Sequence, residues 1–195
     1  CFGAATPLCK LLLAQVSPLT LAGGLYLGAG LFTAPSLVKF RLSATGGLDR
    51  RRILGATVFG GIFGPVFLLF GLRMGDANSI ALLLNLETVF TAILGVMIFK
   101  EHGSTKMWLS VFLVILASCA LVYPVSIESL TAAGLVALAC LCWGFDNHFT
   151  ADIADFTPGQ TTCIKGLIAG LTNLVFGMLI SEPLNWGPFG YTLLV

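Results

Sequence analysis

Charged side chains are scarce in this chain: Asp, Glu, Lys and Arg together make up 10% of 195 residues, histidine occurs twice, and hydrophobic residues make up 57%. A soluble domain of this size needs far more polar material to cover itself, so the composition excludes one. The mean hydropathy of +0.97 points instead to an integral membrane protein. A formal net charge of +1 argues against a nucleic-acid partner. HExxH, paired CxxC motifs and a glycine-rich phosphate loop are all missing, which removes the usual sequence grounds for an intramembrane enzyme, a metal site or another cofactor. No connector is long enough for a soluble domain. The six cysteines (Cys1, Cys9, Cys119, Cys140, Cys142, Cys163) lie in apolar stretches at spacings that fit neither a zinc site nor a secreted disulfide framework. They read as small apolar side chains.

What is present is organised around the stretch from Asp76 to Glu101. Between Asp76 and Lys100 its single ionisable side chain is Glu87. At about 1.5 Å per residue, Glu87 lies roughly 16 Å from Asp76 and roughly 21 Å from Glu101, so a helix here spans the hydrocarbon layer with a carboxyl near mid-depth. An acid at the centre of a membrane helix costs at least about 2.5 kcal/mol, and such residues face a partner, a wet cavity or a transport path. Glu87 is therefore the leading substrate- or ion-path candidate; a structural carboxyl bonded to a neighbouring helix is the competing reading.

The remaining chain supplies further spans. Cys1 to Ala14 is apolar but too short to cross a bilayer, and without an initiating Met or charged leader it reads as a fragment beginning inside a helix. Pro7 is expected to kink that helix and Lys10 to snorkel outward. Spans are expected at Pro18 to Val38, with Gly24 and Gly28 in small-xxx-small spacing; at Ile53 to Leu72, kinked at Pro65; and at Met107 to Tyr123, Thr131 to Phe149 and Thr161 to Ser181. Pro188 to Val195 looks like the start of another, after an outer turn at Glu182 to Trp186. The segment from Lys39 to Arg52 holds five of the ten basic residues, which places residues 39–52 in the cytoplasm. Inner loops then carry seven basic residues and outer loops only Arg73, while the connector with Asp152, Asp155 and Pro158 lies inside. The fold class is an all-α membrane bundle.

The chain also resembles itself. SPLTLAGGLYLGAG (Ser17 to Gly30) aligns without gaps on TPGQTTCIKGLIAG (Thr157 to Gly170), an offset of 140 that matches Pro18 with Pro158, Leu27 with Leu167, Ala29 with Ala169 and Gly30 with Gly170. A five-helix unit crosses an odd number of times, so its second copy enters from the opposite side. Such inverted repeats build secondary transporters, with the substrate near mid-depth between the halves. Residues 1–125 are expected to form the first repeat and residues 126–195 the beginning of the second, in a protein of about ten helices.

Three places carry a family resemblance. Gly60-Gly61 with Gly64-Pro65-Val66 and Gly71-Leu72 is similar to the third helix of the EamA-like family in the drug/metabolite transporter superfamily. Leu84 to Ala92 followed by Phe99-Lys100-Glu101 resembles its fourth helix, with Thr88 standing where proline is usual and Lys100 where glycine is usual; Trp143-Gly144 resembles the start of a repeat. The resemblance implies ten helices, transport of small metabolites or drugs, often export, and no ATP-binding domain. The expected protein is a secondary transporter working by alternating access in a plasma (inner) membrane, with a passive channel or non-transporting scaffold as the alternative. Its expected partners are the lipid bilayer and a small-molecule substrate, with a homodimer left open.

Besides Glu87, the path candidates are Asn85, Thr6, Lys10, Asp146 and Lys165. Asn85 sits two positions from Glu87 on a different helix face and reads as an interhelical hydrogen bonder. Asp146 and Lys165 fall at similar depth on successive antiparallel helices and are expected to pair. Asp146, Asn147 and His148 point in different directions around one helix, too far apart for one metal site, and His148 reads as interfacial.

Overall fold

The computed structural model describes residues 2–39, 46–121, 127–180 and 192. Cys1, Arg41, the turn from Glu182 to Trp186 and, Thr192 apart, the span expected from Pro188 lie outside these residues. Those described form α1 (Phe2–Leu12), α2 (Pro18–Thr33) with a 3-10 turn (Ala34–Lys39), α3 (Gly47–Ala56), a π-helical stretch (Thr57–Phe63), α4 (Gly64–Met74), α5 (Ala77–Leu83), α6 (Leu86–Met97), α7 (Thr105–Leu121), α8 (Ile127–Ala151) and α9 (Pro158–Ile180). Among the described residues, five stretches are long and apolar enough to cross a membrane: Pro18–Val38, Gly47–Met74, Ala77–Met97, Leu130–Ala151 and Pro158–Ile180. Thr105–Ala120 is apolar but shorter. The all-α membrane bundle expected from composition is the architecture found.

Local chemistry sets the helix starts. Ser17 caps α2, accepting from the Thr20 N–H at 3.2 Å, with Pro18 in the first turn, where its missing N–H is not needed. A reciprocal capping box opens α9: Thr157 N–H donates to Gln160 Oε1 (3.0 Å) and Gln160 N–H to Thr157 Oγ1 (3.3 Å). Leu21, Leu69, Leu72, Ile80, Val136 and Cys140 fill the centre of the bundle. On α7 and α9, Leu109, Phe112, Leu116, Leu171, Val175 and Leu179 are exposed, as lipid-facing side chains are.

The most extensive helix pair among the described residues is α2 with α9. Glycines let their backbones touch: a Cβ on Gly30 would lie 2.8 Å from the Leu167 backbone N, and one on Gly170 would lie 2.6 Å from the Leu27 backbone N. Gly30 with Gly170 and Leu27 with Leu167 are matched pairs of the 140-residue offset, so each contact maps onto the other when the two segments are exchanged. That reciprocity is what a two-fold axis between two copies of one unit produces.

Two elements depart from simple helices. Before Pro65, the Gly64 N–H bonds to Phe59 O, five residues back, and Pro65 has no N–H to offer. Gly60 and Gly61 thus lose their α-type donors. Neighbouring helices replace them: Tyr26 OH (2.5 Å) and Trp143 Nε1 (3.1 Å) donate to Gly60 O, and Asn173 Nδ2 (3.1 Å) donates to Gly61 O. The second departure corrects the expected single helix from Asp76 to Glu101, which is broken at Leu84–Asn85 into α5 and α6. Asn85 Nδ2 turns back onto Leu82 O at 2.7 Å, and the backbone bonds at the break run three residues back, from Asn85 to Leu82, from Glu87 to Leu84 and from Thr88 to Asn85. A short polar side chain that bonds its own backbone competes with the helix in this way. Asn85 is therefore a local bonder and not the interhelical one expected.

Candidate functional site

Helix α8 carries polar groups on two sides. Towards α9, Asp146 and Lys165 are ion-paired, as their matched placement predicts, and Thr150 Oγ1 donates to the second carboxylate oxygen of Asp146 at 3.1 Å. The pair sits against the π-helical stretch, where Gly60 has no side chain because a Cβ would fall into the Asp146 carboxylate. Tyr26, Trp143 and Asn173 complete this buried seam through their bonds to Gly60 and Gly61.

Towards α6 the side chains are Asn147 and His148. Asn147 Nδ2 donates to Glu87 Oε1 at 2.9 Å and to Thr91 Oγ1 at 3.2 Å. Glu87 and Thr91, four residues apart, share one face of α6. His148 Nε2 lies 2.9 Å from Thr91 O, and its Nδ1 lies 3.4 Å from Glu101 Oε1. A groove of about 290 Å³ runs along this seam, lined by Glu87, Thr88, Thr91, Ala92, Glu101 and Asn147. A second of about 280 Å³, bordered by Ala81, Leu84, Asn85, Glu87 and Thr88, continues past the helix break. Asn85 and Glu87, on either side of the break, both border this second groove. Thr88 lies in the first turn of α6, where the family's usual proline is tolerated.

The other candidates fall elsewhere. Lys10 Nζ donates to Leu72 O (2.6 Å), Arg73 O (3.2 Å) and Gly75 O (2.9 Å), closing the C-terminus of α4. Thr6 is buried and lines a mainly apolar cavity of about 220 Å³ with Cys9, Tyr26, Pro65, Leu69 and Trp143. Pro7 lies inside α1, which continues through it. His148 lies in the last turn of α8 and is 7% exposed. Sequence reasoning passed over Thr91, Glu101 and Tyr26 as site residues; the four-residue step from Glu87 was the signal available for Thr91.

At one end of the bundle, Arg52 bridges Asp49 (3.2 Å) and Asp152 (2.9 Å), while Asp49 Oδ2 accepts from the N–H groups of Ala154 (3.0 Å) and Asp155 (2.9 Å). The basic segment and the α8–α9 connector therefore lie on the same side, as the expected topology requires.

These features define an integral, multi-pass, all-helical membrane protein whose polar side chains are gathered into seams between helices. The model of the EamA-like transporter family matches residues 1–123, and the chain belongs to that family. It is also similar to an uncharacterized transporter of Methanothermobacter thermautotrophicus, with 26% identity over 213 residues, covering 96% of this chain and 62% of that protein. The chain thus spans less than two thirds of this relative's length. No solved structure matches it.

Proposed function

We propose that the chain belongs to a secondary transporter that exports small cationic or amine-bearing solutes by alternating access, with Glu87 on the path. The observation that carries this reading is the α6/α8 groove, in which two carboxylates, Glu87 and Glu101, and the amide of Asn147 line one space without a lysine or arginine among them. Carboxylates facing a cavity favour a cationic guest and disfavour an anionic one. The reciprocal α2/α9 contacts support an inverted repeat, with residues 1–125 as its first unit and residues 126–195 opening the second. Family membership supports transport of small solutes, and export is the direction that the family resemblance favours. Residues 39–52 face the cytoplasm of the plasma membrane in this reading.

Counterflow in proteoliposomes tests it, with labelled methylammonium and a larger organic cation as probes. Counterflow of a cation, lost in Glu87→Gln with folded yield and melting temperature unchanged, is the expected result, because the amide keeps the shape of the carboxyl and cannot ionise. Downhill flux without counterflow identifies a passive channel. A Glu87→Gln protein that transports as the parent does makes Glu87 a structural carboxyl.

A further inference from the structure

We propose that His148 and Glu101 form a site that holds one exchangeable proton between them, at the α7-side end of the α6/α8 groove. Thr91 O, 2.9 Å from His148 Nε2, only accepts hydrogen bonds, so Nε2 carries hydrogen and the tautomer is fixed. Nδ1 faces Glu101 Oε1 at 3.4 Å. With Nε2 protonated, a neutral ring would turn its Nδ1 lone pair towards a carboxylate. The contact calls for a proton, as imidazolium against carboxylate or as a neutral ring accepting from a carboxylic acid. Both descriptions contain the same proton, and it belongs to the pair.

Three further features shape the site. The imidazole stacks on Phe99 with ring centroids 4.2 Å apart and planes at 15°, a face that favours a cationic ring. Lys100 adopts a left-handed backbone (φ 57°), which turns Glu101 back towards α8, and the Glu101 N–H is tied to Gly95 O at 2.9 Å. Gly95 leaves the space: a Cβ there would lie 2.7 Å from Glu101 Oε2 and 3.1 Å from His148 Cε1.

Arg50 and Arg51 of α3 and Arg73 of α4 lie on elements packed against α8, and several other charged groups on these elements have their own partners. Arg52 and Asp49 of α3 bond with one another, Arg52 also with Asp152, Lys165 of α9 pairs with Asp146, and Glu87 of α6 is held by Asn147. Lys100, His102 and Lys106 belong to the segment around Glu101. The Glu101 side chain is 62% exposed, so the proton leaves to water or buffer directly from the carboxyl side. Once it has gone, the carboxylate is no longer bonded to the ring, and the connector after α6 is left held to α8 by Phe99, which stacks on His148 and meets Phe149 edge-on. His148 holds the Thr91 carbonyl and Asn147 its hydroxyl, and Asn147 also holds Glu87, so hydrogen bonds connect the site to Glu87. The use of this proton in transport rests on the transporter reading; its binding does not.

The chain has two histidines, so His102→Gln leaves His148 as the single imidazole. In that background, nitrogen NMR of isotope-labelled histidine in lipid nanodiscs, run from about pH 4 to about pH 9, follows both ring nitrogens. The expected result is an Nε2 protonated throughout and an Nδ1 step that coincides with a step in the Glu101 carboxyl carbon. Glu101→Gln should then move the Nδ1 step, because the partner that shares the proton is gone. An unprotonated Nε2 in the neutral ring, seen without any change at Glu101, overturns the proposal; so does an Nδ1 step unmoved by Glu101→Gln. The spectra need no substrate. A shared step in a protein without counterflow supports the site and sinks the transporter reading, whereas counterflow without a shared step sinks the site alone.

Discussion

Gly166 and Gly30 face each other across the α2/α9 seam so closely that a Cβ on Gly166 would come within 2.7 Å of the Gly30 Cα and 2.6 Å of the Tyr26 carbonyl oxygen. Backbone cannot step aside as a flexible side chain can. Gly166→Ala is expected to destabilise by about 1–3 kcal/mol through overpacking. Gly134→Ala on α8, where the added methyl meets nothing within 4 Å, is expected to stabilise by up to about 1 kcal/mol through helix propensity. Melting temperatures of the two variants in one detergent check the contrast, and equal shifts would refute close packing at the seam.

The Asp146–Lys165 pair predicts a non-additive cycle. Asp146→Ala strands a partly buried ammonium and is expected to cost about 3 kcal/mol, whereas Asp146→Asn combined with Lys165→Met removes both charges and is expected to cost less than either charge removed alone. Thermal unfolding of the single and double variants measures the coupling. Additive losses would mean that the pair contributes nothing as a pair.

Lys100 holds a backbone conformation that L side chains rarely adopt, at a position where the family resemblance leads one to expect glycine. Lys100→Gly is expected to relieve about 1 kcal/mol of strain and to raise the melting temperature. A lower melting temperature would show that the lysine side chain contributes more than the strain costs.

How much of this was legible in sequence depends on how far apart the interacting residues lie. The bundle, the Asp146–Lys165 pair and the donors required near Pro65 follow from hydrophobic run lengths, matched depth and a missing N–H, all of which are local or periodic properties. The break at Asn85 was missed because its cause is a competition of a few kcal/mol at most between two local bonds, which composition does not resolve. The partners of Lys10 and His148 were not legible for another reason. They come from the end of α4, 62 to 65 positions on, and from Glu101, 47 positions back, and no pattern within one helix announces them. The groove is legible only once α6 and α8 are side by side.

Outside the membrane spans, Asp76 caps α5, and the Ser79 N–H that it accepts holds its carboxyl below the usual value of 3.8. A carboxyl depressed in the folded state adds stability above its unfolded value, and that contribution disappears as pH falls through the lower, folded value. Asp76→Ala is expected to cost about 1 kcal/mol near neutral pH and progressively less below about pH 4. Melting temperatures of parent and variant across that range should converge on the acid side; a constant gap would rule out the charge as the source.

The glycine seam also sets an order of events during synthesis. Gly30 leaves the ribosome 136 residues before Gly166, the partner it touches. At translation rates of about 5–20 residues per second, α2 waits in the bilayer for on the order of ten seconds before α9 arrives. During that interval its small-residue face is open to any other helix of the same kind, including α2 of a second nascent chain. This close backbone contact is consequently one exposed to mispairing, and slowing elongation between the two segments lengthens that exposure without changing a single residue.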